Sequence, residues 1–309
     1  MGVFRNILLW CSENQWMREQ LPQYGFVKRA VKRFMPGEEI EQALYEAVRF
    51  KEIGIGNVFT FLGENIVDLS EAHAVTEHYL EALEKISNKK VNVEVSLKLT
   101  QIGFDLSVEK TYENFKRICE KAKSFNNVVW IDMEYSRYVD KTIKFYKKIK
   151  TEFDNVGLCL QAYLYRTDDD LKELLEIHPF IRLVKGAYNE PKQIAFEQKA
   201  QTDENYFQLA KMLVDAVKEN KARAAFATHD ETLVAKIENY AKTKGLSREN
   251  LEFQMLYGIK SNTQLRLAKD GYKLLVLISY GNAWFPWYMR RLAERPANVG
   301  FVLRNMFTK

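Results

Sequence analysis

The chain has 309 residues, 47% of them hydrophobic and 28% charged, with 46 lysines and arginines set against 41 aspartates and glutamates. That length accommodates two ordinary domains or one large α/β barrel, with ample material for a core. The net charge of +5 is too diluted among alternating lysines and glutamates to form a nucleic-acid footprint. The three cysteines, without a CxxC pair, exclude a disulfide framework and fit a reducing cytoplasm, and no run reaches the ~18–20 apolar residues of a membrane span.

Residues 1–36 alternate aromatic with basic side chains, among them Phe4, Arg5, Trp10, Trp16, Arg18, Lys28 and Arg29. They are expected to form an N-terminal helical segment covering the body of the protein. A second reading is a basic, aromatic surface for peripheral contact with the inner face of an anionic cell membrane. Pro36-Gly37 marks a boundary, and Glu38 to Glu52 reads as a helix.

Strand and helix signals then alternate eight times. Asn57 to Phe61 precedes a helix from Ser70 to Lys85, Val91 to Leu99 precedes Val108 to Lys123, and Val128 to Met133 precedes Tyr138 to Lys150. Val156 to Ala162 precedes Asp168 to Ile177, and Phe180 to Lys185 precedes a long helical stretch ending near Glu219. Ala222 to Thr228 precedes Glu231 to Lys244, Leu251 to Leu256 precedes Asn262 to Lys269, and Lys273 to Ser279 precedes the last helix. Runs such as Val128-Val129-Trp130-Ile131 are continuously apolar, as strands covered on both faces should be. Eight such units predict a (β/α)8 TIM-type barrel over residues 37–309, behind the N-terminal helical extension.

Chemistry in such a barrel gathers at the C-terminal ends of the strands, and here those ends are polar. They present Glu64, Lys98, Gln101, Asp132, Glu134, Gln161, Tyr163, Arg182, Lys185, Thr228, His229, Gln254, Tyr257 and Tyr280. The last helix opens on Gly281-Asn282, takes Pro286 in its first turn and is stopped by Pro296. Phe285, Tyr288, Met289 and Leu292 share one of its faces, and Trp287, Arg290, Arg291 and Glu294 the opposite one. Paired arginines with a carboxylate three and four residues on make an anion grip; the plain alternative is a solvated, salt-bridged surface. The four histidines show no metal-ligand spacing, so no metal site is expected. Gly54-Ile55-Gly56 lacks a third glycine and precedes a strand, so it is no dinucleotide fingerprint. From the residues alone, the chain is a barrel enzyme with an anion-binding eighth helix.

The stretch from Tyr280 to Arg290-Arg291-x-x-Glu294 closely resembles the C-terminal signature of the proline dehydrogenase family. Six further strand-end segments are similar to the family and follow its order: Ser96–Gln101, Ile131–Glu134, Leu160–Arg166, Arg182–Tyr188, Phe226–Asp230 and Phe253–Gly258. The resemblance implies FAD at the barrel mouth and oxidation of L-proline to Δ1-pyrroline-5-carboxylate by hydride transfer, with electrons passed to a quinone. By the same resemblance, Arg290, Arg291 and Lys98 hold the substrate carboxylate, Glu294 steadies the arginines, and Leu256 and Trp287 line the substrate. Asp132 and Tyr280 shape and polarise the site, and Arg182 faces the reactive edge of the flavin. Met133 and Gln161 touch the isoalloxazine, Val184, Lys185, Gly186 and Ala187 bring backbone to the cofactor, and Thr228 and His229 meet its phosphate or adenine portion.

Two positions depart from the family pattern. Trp287 stands where a tyrosine is usual, and Ser279 where relatives often carry proline. An indole beside the arginines is expected to wall the substrate ring and disfavour a ring hydroxyl. A barrel acting on another cyclic amino acid such as hydroxyproline, and a catalytically silent anion-binding barrel, are the alternatives.

Overall fold

The computed structural model describes residues 8, 10–11, 14–21, 24, 31–63 and 66–294. Eight parallel strands close in chain order: β1 Gly56–Phe61, β2 Val93–Leu97, β3 Val129–Ile131, β4 Val156–Gln161, β5 Phe180–Val184, β6 Arg223–Ala227, β7 Glu252–Leu256 and β8 Lys273–Tyr280. β1 pairs with β8 along its whole length, from Gly56 on Leu275 to Phe61 on Tyr280. Helices α1 Gln15–Gln20 and α2 Ile40–Glu52 precede the barrel. After the eight strands in turn come α3 Leu69–Lys89, α4 Val108–Ser124, α5 Val139–Lys150, α6 Thr167–Leu175, α7 Lys199–Lys218, α8 Glu231–Thr243, α9 Ser261–Lys269 and α10 Trp284–Glu294. This is the expected (β/α)8 barrel. No described helix is long and apolar enough to cross a membrane.

Local chemistry places the helix starts. Asp68, Ser107 and Asp230 cap α3, α4 and α8 by accepting the N–H of Ser70, Lys110 and Thr232, satisfying donors that the first turn leaves open. Each helix then buries one stripe, such as Tyr79, Leu83 and Ile86 of α3 or Phe115, Ile118 and Ala122 of α4. One expected helix begins late. The chain from Lys185 to Gln198 is irregular: the Pro191 carbonyl turns it by accepting the N–H groups of Ile194 and Ala195, and Ala195 bridges to Leu164.

The register decides which side chains face the barrel axis, since paired residues on neighbouring strands point to the same side. Gly157 pairs with Phe180, Cys159 with Arg182, and Gln161 with Val184. Ala227 pairs with Gln254, Leu256 with Leu277, and Thr60 with both Ser96 and Ser279. These residues are the inward set. Val58, Trp130, Ala225 and Leu275 plug the middle as a separate apolar cluster. Above them Asp132, Val184, Ala227, Leu256 and Leu277 are only half-buried, so the C-terminal end of the barrel is open inside.

That opening has a roof. A second apolar cluster joins Trp284, Phe285, Trp287, Tyr288, Met289 and Leu292 of α10 to Leu8, Val31, Phe34 and Met35, with Leu62 after β1 and Ile259 after β7. The Arg33 carbonyl lies against Gly258, where a side chain would collide with it. The described part of the N-terminal segment therefore packs over the strand-end face; the rest of residues 1–36, and Pro296, lie outside the described residues.

Candidate active site

Arg182 is the centre of the open end. It rises inward from β5, is 2% exposed, and lays its guanidinium over the Trp130 indole, 4.7 Å from the ring centroid. Nη1 donates to Asp132 Oδ1 and to Ser96 Oγ, both at 2.9 Å, and Nε donates to Gln254 Oε1 at 2.7 Å. Nη2 is buried and has no partner among the described residues. Asp132 also accepts from Ser96 Oγ at 2.8 Å, and its backbone N–H continues the ladder to Leu97.

Gln161, at the end of β4, spans to the neighbouring strand. Its amide nitrogen donates to the carbonyls of Met133 and Glu134, which leaves Oε1 as a second buried polar atom with no partner among the described residues. Met133 itself is buried in the main apolar core. Lys98 is half-buried after β2, with Nζ donating to the Gly63 carbonyl at 3.1 Å.

Across the barrel, Val184, Lys185, Gly186 and Ala187 form a half-buried shelf after β5. Gly186 has φ +116°, and a Cβ there would strike the Tyr163 ring at 2.3 Å. Its glycine is thus required by Tyr163 and by the backbone turn, whatever else approaches it. Lys185 Nζ lies 2.5 Å from Asp203 and 2.9 Å from Asp230, and Lys199 bridges the same two carboxylates. Burial alone would raise the Asp230 carboxyl, but the two ammonium groups outweigh it and hold it well below the usual range. Thr228 is buried beyond β6, its hydroxyl accepting the Asp230 N–H. His229 Nε2 accepts the N–H of Leu256 at 2.9 Å, which ties the ends of β6 and β7 and fixes that nitrogen as unprotonated.

α10 reaches over this space from β8. The Arg290 guanidinium, on a residue 7% exposed, sits 5.7 Å from the centroid of the Tyr188 ring, which belongs to the loop after β5 and packs on Tyr135 after β3. Since β8 and these loops lie on opposite sides of the barrel, the contact carries Arg290 across the mouth. Arg291 is half-buried next to it; the side chain of Glu294 lies outside the described residues. The expected division into an apolar and a charged face is only partly realised. Trp287 is 8% exposed and belongs to the same roof cluster as Phe285 and Tyr288, so the face it shares with the arginines is buried as well.

Tyr280 is an expected site residue that the barrel turns away from the mouth. It pairs with Phe61, packs on the rings of Phe59, Phe61 and His78, and places its hydroxyl 2.9 Å from His78 Nε2 of α3. Its parity on the strand is outward; Leu277 and Ser279 are the inward residues of β8. A cavity of about 400 Å³ lies on that outer flank, between α2, α3 and the turn at Gly281-Asn282, and Lys85 bridges its carboxylates Glu41 and Glu81 at 2.7 and 2.8 Å. It is separate from the barrel mouth.

Ser96, Gln254, Leu277 and Ser279 belong to the inward wall; the sequence marks Gln254 only as a polar strand end and Ser279 only as a departure from the family pattern, and gives Ser96 and Leu277 no role. The strand register, not the sequence, places all four beside Asp132 and Arg182. The Ser279 hydroxyl is buried with no partner among the described residues.

A buried cation clamped to a carboxylate, buried polar atoms without partners among the described residues and a helix carrying two arginines overhead mark the strand-end mouth as the candidate site of a barrel enzyme. Comparison with known proteins gives the family. The proline dehydrogenase family model matches residues 43–304. Proline dehydrogenase 1 of Bacillus subtilis (strain 168) is 36% identical over 307 residues, covering 99% of this chain and 100% of that one. The proline dehydrogenase of Deinococcus radiodurans is 33% identical over 309 residues, covering 98% of each. The chain belongs to the proline dehydrogenase family, the oxidoreductases of proline catabolism. A crystal structure of proline utilization A from Bdellovibrio bacteriovorus, inactivated by N-propargylglycine, superposes with TM-score 0.82 at 23% identity, over 98% of this chain and 39% of that longer one. That likeness shows the shared barrel.

Proposed function

We propose that this chain oxidises L-proline to Δ1-pyrroline-5-carboxylate with FAD held in the barrel mouth, and delivers the electrons to a quinone. One observation carries the choice of cofactor: Arg182 Nη2, a donor, and Gln161 Oε1, an acceptor, are both buried on the inner wall with no partner among the described residues. Buried polar atoms are costly unless something meets them, and a flavin ring, with acceptor nitrogens and an imide N–H along its edge, offers both complements. The half-buried backbone from Val184 to Ala187 would lie along it, with Met133, Thr228 and His229 nearby. The chemistry FAD supplies when bound is acceptance of a hydride from the carbon beside the proline nitrogen.

The remaining tasks fall to side chains. Arg290 and Arg291, with Lys98 below them, would grip the proline carboxylate, giving orientation as well as affinity. Leu256 and Leu277, inward and half-buried, offer an apolar wall for the ring carbons. Arg182, fixed by Asp132, holds a positive charge where the reduced ring gains a negative one. The roof of α10 and the N-terminal segment excludes water from these charges and strengthens their interactions. Glu294 would steady the arginines, and a peripheral membrane contact would bring the quinone within reach. Anaerobic titration with L-proline, following flavin absorbance, tests the assignment. Bleaching is expected; an oxidised spectrum that persists in excess proline would refute it.

A further inference from the structure

The contacts around Arg182 do not end at Gln254. The Gln254 carboxamide gives its oxygen to Arg182 Nε and donates from its nitrogen to Glu252 Oε1 at 2.9 Å. Glu252, 2% exposed, is held by Arg223 through Nε at 2.9 Å and Nη2 at 3.0 Å, and by Lys273 at 2.8 Å. Burial alone would raise its carboxyl; the two cations outweigh that and keep it below the ordinary range. Arg223 reaches on to Glu94 at 2.7 Å, and Glu94 accepts the Trp130 indole N–H at 2.6 Å. Trp130 lies under Arg182 on one side, at 4.7 Å, and Arg223 at 5.3 Å. The chain of contacts therefore closes on itself inside the barrel: Arg182, Gln254, Glu252, Arg223, Glu94, Trp130 and back to Arg182.

We propose that Gln254 and Glu252 are positioning residues for Arg182, which rests on the assignment of Arg182 given above. A glutamine amide can turn end for end. Glu252 is an acceptor only, so it pulls the NH₂ group towards itself and leaves the oxygen for Arg182. With Nε held by Gln254 and Nη1 by Asp132 and Ser96, the planar guanidinium has no rotation left, and the direction of Nη2, which has no partner among the described residues, is set. The Trp130 face below it is set by the same ring of charges. Because Arg223 and Lys273 balance Glu252 and Glu94, the ring brings no net charge of its own to the mouth. Arg182 is left as the cation that the cofactor meets.

The test compares wild type with Gln254→Met, which keeps volume and removes the acceptor, and with Glu252→Gln, which lets the amide turn. Flavin midpoint potential, kcat and KM for L-proline, and Tm are measured on each flavin-loaded protein. Gln254→Met is expected to lower kcat at least about tenfold with KM within about twofold. It should also shift the two-electron equilibrium about tenfold towards the oxidised ring, which is about 30 mV. Glu252→Gln should move both in the same direction by less. Wild-type potential in Gln254→Met overturns the proposal, even if kcat falls, because a merely structural role would leave the potential in place. Wild-type potential and kcat in Glu252→Gln overturn the part assigned to Glu252.

If Gln254→Met does not fold, Gln254→Glu decides the matter. Its two carboxylates share one proton at low pH, reproducing the native pattern, and repel when both ionise. Facing this pair are Arg182, Arg223 and Lys273, with Asp132 and Glu94 one contact further. The kcat profile should gain an alkaline fall that wild type lacks, and a profile identical to wild type overturns the proposal. A wild-type protein that proline does not reduce would count against the functional reading. Reduced wild type with unchanged variants counts against the positioning alone.

Discussion

The hydroxyl of Tyr280 lies 2.9 Å from Nε2 of His78, on the outer flank of β8, while Leu277 and Ser279 of the same strand face the barrel axis. Removing that hydroxyl should therefore cost stability and leave catalysis nearly intact. Tyr280→Phe is expected to lose about 0.5–1.5 kcal/mol, the usual worth of one such bond. Its kcat/KM for L-proline should stay within about threefold of wild type. Chemical denaturation and steady-state kinetics check this, and a fall beyond about tenfold would return Tyr280 to the substrate wall.

Burial lowers the pKa of His78 from its ordinary value, despite nearby Glu81. A depressed base binds its proton more readily in the unfolded chain. Its contribution to stability is thus complete above the ordinary value of about 6.5 and is lost as pH falls through that value and the folded one. Wild type should lose Tm between about pH 7 and 5 more steeply than His78→Gln, which keeps a polar partner for Tyr280 without titrating. Parallel Tm profiles would deny the linkage.

Asp132 is the counter-ion of a guanidinium that is almost wholly buried. Asp132→Ala strands that charge and should destabilise the fold by about 3–5 kcal/mol, the cost of breaking a buried pair from one side. Asp132→Asn keeps an oxygen for Nη1 and should fold well, with kcat lowered roughly 10- to 100-fold as the charge that orders Arg182 is lost. Differential scanning calorimetry and kcat on both variants separate the two effects.

Arg290 spreads a planar cation towards the Tyr188 ring, a contact an ammonium group does not reproduce. Arg290→Lys and Arg291→Lys are expected to lose about 1.5–3 kcal/mol in kcat/KM for L-proline, roughly 10- to 150-fold, more than retained charge would suggest. Unchanged kinetics in both would make α10 a cover without a grip.

Trp287 packs within the roof, so its removal should show first as lost stability. Trp287→Ser is expected to cost about 3–5 kcal/mol, as large buried aromatics do. Rates with L-proline and trans-4-hydroxy-L-proline should fall together, leaving their ratio within about twofold. A ratio that narrows strongly would put the indole against the substrate ring instead.

The barrel was legible because its strands are continuous apolar runs separated by capped helices, and the strand ends announced a polar rim. The same continuity hid the direction of each side chain. A strand covered on both faces has no alternation of polar and apolar residues, so nothing in Leu274 to Tyr280 says which parity faces the axis. The family resemblance puts Tyr280 in the site, and only the strand pairing shows that Leu277 and Ser279 are the residues of β8 that face the axis. Gln254 read as one polar strand end among many; only the register on β6 and β8 puts it against Arg182. For Trp287, helix periodicity gives the face it shares with the arginines but not the apolar cluster that this face joins.

Glu38 ties the roof to the barrel from the other end of the chain: its backbone carbonyl accepts the Gly281 N–H, and its carboxylate accepts the Trp284 indole N–H across 246 residues of sequence. β1 waits for β8 over a comparable span. Contacts so distant in sequence are slow to form and arrive together, since the entropy of closing the intervening chain is lost once for all of them. The protein thus completes its mouth last. A chain that lacks β8 and α10 is expected to leave Tyr188 without its cation and the mouth without its roof.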